Sequence, residues 1–266
     1  MSTGMVLAEV RDGVGVVTLN RPERRNALHP DMYDAIPNVL EELFEDPEVG
    51  AILLTATGTA FCAGGDVRDG RGRGDTEDVS VEDAAARLVH NARMVLLLHE
   101  GPKLSVAALP GPAVGAGMSL ALAADFRIAA ASARLVPGWS DLAFSGDFGG
   151  TWLLARAMGP SRALAALLGN ESIAAPEALA AGLVDRVVED DELAGAAFAW
   201  ARTLADAPRV MARFMKENVR QAETLSLRDA LPLEAERMIR SGQTEEHRAA
   251  VRRWLDRPAG LGPAAS

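Results

Sequence analysis

The chain of 266 residues has a single cysteine, Cys62. That excludes an intramolecular disulfide and any zinc site built on several thiolates. Basic residues are also short: 27 Lys and Arg against 37 Asp and Glu give a formal charge of −10. Nucleic-acid binders take much of their affinity from cations that neutralise phosphates, so no nucleic-acid partner is expected. The longest apolar stretch, Leu104 to Ala124, is broken by Pro110, Gly111 and Pro112. It does not read as a membrane helix, and no membrane partner is expected. Met1 to Val10 holds Glu9 and no basic cluster before an apolar run, unlike a secretory leader, so a cytoplasmic location is expected. The four histidines, His29, His90, His99 and His247, are scattered without metal-ligand spacing. There is no dinucleotide fingerprint, no Walker-type Gly-Lys-Ser/Thr, and no Gly-x-Ser-x-Gly elbow around Ser119 or Ser140.

What is present is an ordinary globular composition, 48% hydrophobic and 24% charged. Short runs rich in Val, Ile, Leu and Ala predict strands at Val14–Leu19, Ala51–Thr55, Leu104–Leu109 and Phe126–Ala130. Pro30 opens a helix with Met32, Ile36, Val39, Leu40 and Leu43 on one face, and Pro37 predicts a kink within it. Glu82 to His99 reads as one helix. After Thr151 the chain becomes helical and Ala-rich, ending in helices over Val210–Glu223 and Leu225–Leu255. The fold class is α/β with a helical C-terminal third. The segment Asp69 to Ser80, rich in glycine and charge, reads as a mobile loop over a site.

Two glycine-rich turns each follow a buried strand and lead toward a helix: Phe61-Cys62-Ala63-Gly64-Gly65-Asp66, and Gly111 to Gly117. Small residues let a ligand reach backbone N–H groups. Two such groups converging on one point would form an oxyanion hole, strengthened by a helix N-terminus behind one of them.

In their order and spacing, these turns resemble the crotonase superfamily, the enoyl-CoA hydratase/isomerase family. The resemblance is carried further by Asn20-Arg21-Pro22-Glu23-Arg24-Arg25-Asn26-Ala27-Leu28, by Gly149-Gly150-Thr151, and by Ala180 to Asp185. It implies a spiral of ββα turns as the core, taken as residues 1–200, and a helical region, 201–266, for oligomerisation and lid. It implies a homotrimer or a hexamer made of two trimers, an acyl-CoA thioester as substrate, and no cofactor beyond the coenzyme A of that substrate. The oxyanion donors would be the N–H groups of Gly65 and Ala116. Coenzyme A would lie along Arg25, Ala27, Ala63, Asp66 and Val67, with Lys216 reaching a phosphate across a subunit boundary.

The sequence departs from the hydratases of that family, which use two glutamates. Ser119 stands at the first position; the second, counted back without gaps from Gly149-Gly150-Thr151, falls at Trp139, and a shift of one or two residues offers Gly138 or Asp141 instead. Asp147, in Ser145-Gly146-Asp147-Phe148-Gly149-Gly150, instead matches the aspartate used as proton shuttle by the family's isomerases and as nucleophile by its aryl-CoA dehalogenases. The resemblance therefore implies an isomerase with Asp147 as shuttle, its pKa lifted by Phe144, Phe148 and Trp139. Alternatives are a hydratase using Asp141 with Asp147, a hydrolase or dehalogenase, and an acyl-CoA binder with little catalysis. As a plain structural residue, Asp147 would be the N-cap of the helix near Gly150. Ser119 would orient water or fill space, and Cys62 would be a buried packing residue.

Overall fold

The computed structural model describes residues 4–66 and 79–256. The elements run β1 (Val6–Arg11), β2 (Val14–Leu19), α1 (Pro30–Glu45), β3 (Ala51–Ala56), α2 (Val81–Asn91), α3 (Arg93–Glu100) and β4 (Leu104–Leu109). Then come β5 (Ala113–Val114), α4 (Ala116–Ala123), β6 (Phe126–Ala130), β7 (Arg134–Val136), α5 (Gly150–Met158), α6 (Pro160–Gly169), β8 (Ile173–Ala174) and α7 (Ala175–Ala180). The chain closes with β9 (Arg186–Val188), α8 (Leu193–Ala205), α9 (Arg209–Gln221), α10 (Leu227–Gly242) and α11 (Glu245–Leu255). It divides into two units, Met1–Asp206 and Ala207–Ser266. Helix α8, which a boundary at residue 200 would cut, stays whole within the first and packs on β2, β3, β4 and β6.

The main sheet of the first unit has the order β1-β2-β3-β4-β6-β9, antiparallel at β1–β2 and parallel beyond. Strands β3 and β4 are apolar on both faces because helices cover both, as parallel sheets require. A second layer is made of short pieces. Leu28 bridges Gly65, Cys62 bridges Ala113, Ala113 pairs with Leu135, and Leu135 with Ile173. Each pass of the chain thus lays one long strand in the main sheet and one short segment in the second layer. This repeated pass is the expected spiral.

Helix α1 begins at Pro30, with His29 Nδ1 accepting from Asp31 N at 3.3 Å. It runs continuously through Pro37, its Met32, Ile36, Val39, Leu40 and Leu43 face buried. The helix expected over Glu82–His99 is two helices meeting at Ala92. The one expected over Leu225–Leu255 is broken before Thr244, whose side chain caps α11. In the second unit α9 packs on α10, and α10 on α11.

Candidate active site

Contacts between the two glycine-rich turns are backbone contacts. Phe61 N and Cys62 N donate to Pro112 O at 3.0 and 3.2 Å, and Val114 N donates to Cys62 O at 2.9 Å. A Cβ on Gly117 would collide with the Cys62 carbonyl oxygen and lie 2.7 Å from Cys62 Cβ. Gly64 adopts φ +88°, and a Cβ there would sit 3.0 Å from Val114 O. Glycine is required at both positions, one for close approach and the other for its left-handed backbone.

Across this contact Ala116 N lies 3.8 Å from where a Cβ of Gly64, the neighbour of Gly65, would stand. Leu28 N donates to Gly64 O (2.8 Å), and Asp66 N donates to Leu28 O (3.2 Å). In a parallel pairing of this kind the intervening residue, Gly65, turns its own N–H away from Leu28. Ala116 is the first residue of α4, where an N–H has no intrahelical partner and the helix end is positive.

The carboxylate of Asp147 comes to the same region on a loop with several left-handed residues, among them Ala143 (φ 56°) and Phe148 (φ 50°). That curl lets the Trp139 indole Nε1 donate to Asp147 Oδ1 at 2.8 Å. Burial pushes the Asp147 carboxyl above its ordinary range, opposed by this hydrogen bond, which favours the charged form. The N-cap of α5 is Gly149 with no side-chain cap, so Asp147 is not the cap. Ser119 is fully buried, its Oγ 3.3 Å from Gly115 O and 3.4 Å from Asp147 O. A Cβ on Gly150 would strike the Trp139 ring and lie 2.5 Å from Ser119 Oγ. Ser119, Trp139, Asp147 and Gly150 are therefore one packed cluster, and Ser119 is spent on filling and bridging it.

The apolar wall differs from the expectation. Phe148 is buried, but Phe144 is 54% exposed and forms no part of it. Asp141 is exposed on a short 3-10 turn, and among the described residues no contact joins it to Asp147. Sequence reasoning missed Tyr33, whose ring lies 5.9 Å from that of Phe148. Its hydroxyl is 3.7 Å from where a Cβ of Gly65 would stand. Burial, then the nearby Asp147, Cys62 and Asp66, push the phenol up to about 12, so it remains a donor. The signal available was that Tyr33 is the chain's one tyrosine, beside the apolar face of α1.

Next to Gly65 opens a surface cavity of about 410 Å³, lined by Arg24, Arg25, Ala27, Ala63, Gly65 and Asp66 among others. It gathers four of the five residues expected along coenzyme A; the fifth, Val67, lies outside the described residues, as does nearly all of the Asp69–Ser80 loop. Asp66 is turned to a buried ion pair, with Arg21 Nη1 2.6 Å from Oδ2 and 3.1 Å from Ala27 O. Asn26 is fully buried and ties the loop down, donating to Thr57 O and Ala60 O and accepting from Arg21 N. Cys62 is fully buried, its thiol pushed up to about 12 by burial, which removes it as a nucleophile near neutral pH. Lys216 lies on α9 of the second unit. Among the described residues, no three His, Cys, Asp or Glu side chains are grouped to hold a metal, and no helix is long and apolar enough to cross a membrane.

Comparison with known proteins identifies the family and the fold. The enoyl-CoA hydratase/isomerase family model matches residues 9–259. The 1,2-epoxyphenylacetyl-CoA isomerase of Escherichia coli is 37% identical over 251 residues, 94% of this chain and 95% of that protein. A probable enoyl-CoA hydratase of Mycobacterium bovis is 31% identical, covering 97% of this chain and 98% of its own. The crystal structure of an enoyl-CoA hydratase from Polaromonas superposes with a TM-score of 0.88 at 30% identity, over 94% of this chain and 96% of that one. The chain belongs to the enoyl-CoA hydratase/isomerase family, the crotonase superfamily, and is an acyl-CoA enzyme with that fold.

Proposed function

We propose that this protein is an enoyl-CoA isomerase that moves a double bond through a thioester enolate, with Asp147 as the single proton carrier. The observation that supports this most is the setting of Asp147. It is a half-buried carboxylate held by a neutral indole N–H, in a cluster with Ser119 and Trp139, which by motif count fall where hydratases of the family carry glutamate. Coenzyme A would lie in the cavity beside Arg25, Ala27, Ala63 and Asp66, which brings the thioester to the N–H groups of Gly65 and Ala116.

From a 3-enoyl thioester, an Asp147 oxygen takes a proton from carbon 2. The electron pair moves onto the thioester oxygen, where Gly65 and Ala116 donate to it. The same carboxylic acid returns the proton at carbon 4, leaving the double bond between carbons 2 and 3. The two N–H groups act mainly on the developing oxyanion, and each such donor typically contributes about 10²–10³ in rate. A base raised toward neutrality suits the proton transfer better than an ordinary carboxylate.

Hydration would require a second acid to activate water, and Asp141 is exposed and without contact to Asp147 among the described residues. A trimer or hexamer is proposed as the assembly. In the second unit, Met215, Val219, Met238, Ile239 and Trp254 are exposed apolar residues that subunit contacts would cover. The reading is tested by following ultraviolet absorbance of the conjugated enoyl thioester. Absorbance is expected to rise with a 3-enoyl-CoA. A fall with a 2-enoyl-CoA, with a hydroxyacyl product seen by mass, would overturn it in favour of hydration.

A further inference from the structure

Tyr33 is a polar group that the proton-transfer scheme leaves unused. Its hydroxyl has no hydrogen-bond partner among the described residues, although the side chain is half-buried. A half-buried hydroxyl that no protein group among the described residues engages is free to donate to a ligand in the site. Its place is fixed from two sides: the ring rests near Phe148, the neighbour of Asp147, and the hydroxyl stands over the Cα of Gly65. In an extended segment the Cα–Cβ direction stands off the plane that contains the N–H. The hydroxyl is therefore offset from the line along which Gly65 N–H would meet the thioester oxygen, and it borders the space between that oxygen and Asp147.

That space would hold the first few acyl carbons if the acyl group lies as argued above, and this inference rests on that reading. We infer that Tyr33 is a specificity-determining residue whose hydroxyl donates a hydrogen bond to an oxygen substituent on the acyl chain near carbon 3, so that the site favours oxygenated over plain hydrocarbon acyl-CoA esters. A third donor to the thioester oxygen would instead strengthen every ester alike. That difference separates the two roles.

The test uses binding rather than turnover. Calorimetry compares 3-hydroxybutyryl-CoA with butyryl-CoA on the full-length wild type and on Tyr33→Phe, which keeps the ring against Phe148. The wild type is expected to bind the hydroxy ester about 3- to 10-fold more tightly, the range of one net neutral hydrogen bond, and Tyr33→Phe to lose that preference while keeping its affinity for butyryl-CoA. An equal preference in the two proteins, or an equal loss of affinity for both esters, would overturn the inference. The isomerase reading fails separately, on turnover by Asp147→Asn, and neither result masks the other.

Discussion

Two carboxylates stand close to the same tyrosine and are held in opposite ways. Asp66 faces the guanidinium of Arg21 at 2.6 Å, with both side chains at or below 10% exposure. Asp147 faces the indole N–H of Trp139 at 2.8 Å, a neutral donor. A buried ion pair locks a charge in place, and that charge is then unavailable to a substrate. A carboxylate given only a neutral donor keeps its position but stays poorly solvated, and burial holds its proton more tightly. The first carboxylate anchors the loop that lines the cavity, and the second suits the base proposed above. The two differ in partner as well as in burial, Asp66 being buried and Asp147 half-buried.

The comparison is broken most severely by removing the charge partner. Arg21→Met should cost up to about 3–5 kcal/mol of stability, because it removes one partner of a buried ion pair, and urea unfolding would measure it. A loss under 1 kcal/mol would mean that Asp66 finds other relief. The frame that brings both carboxylates to one site depends on Gly117. A methyl there meets the Cys62 backbone, so Gly117→Ala should cost about 1–3 kcal/mol and lower turnover by separating Gly65 from Ala116, as read in unfolding and rate assays.

Replacing the neutral donor gives a smaller, signed effect. Trp139→Phe removes the hydrogen bond that lowers the Asp147 pKa, so the acid limb of the pH–rate profile should move to higher pH than in wild type. An unmoved limb would detach Asp147 from that limb. The smallest effect is on stability. Because the folded state raises the Asp147 pKa, it binds the proton more tightly than the unfolded chain, and stability falls as pH rises through the window from the ordinary value of 3.8 to the raised one. Asp147→Asn should remove that slope and leave the protein no less stable than wild type near neutral pH. Thermal melts across pH would show it, in contrast to the loss expected at Arg21.

Much of the frame was legible because burial on two faces writes itself as continuous apolar runs. Leu104–Leu109 and Phe126–Ala130 are strands with the bounds expected. β1 was missed because five of its six residues are exposed at the sheet edge, giving no apolar alternation. β5, β7 and β8 have two or three residues each, too few for any period to show. At the site, Gly65, Ala116 and Asp147 are expected from motif, and the two turns that carry the first two do meet. The partners were not legible. Arg21 and Asp66 are separated by 45 positions, and the Trp139–Asp147 bond depends on left-handed residues, Ala143 and Phe148, at which no glycine announces a turn. Tyr33 was hidden because a helix position beside the apolar stripe reads the same whether it faces water or a pocket.

The most direct test of the central claim is the turnover of a 3-enoyl-CoA by Asp147→Asn, with affinity for a saturated acyl-CoA measured alongside. Asparagine keeps an oxygen for the Trp139 indole and cannot carry the proton. Turnover is expected to fall by about 10²–10⁴ with affinity held within a few fold. Turnover within about tenfold of wild type would contradict the account and place the proton carrier elsewhere.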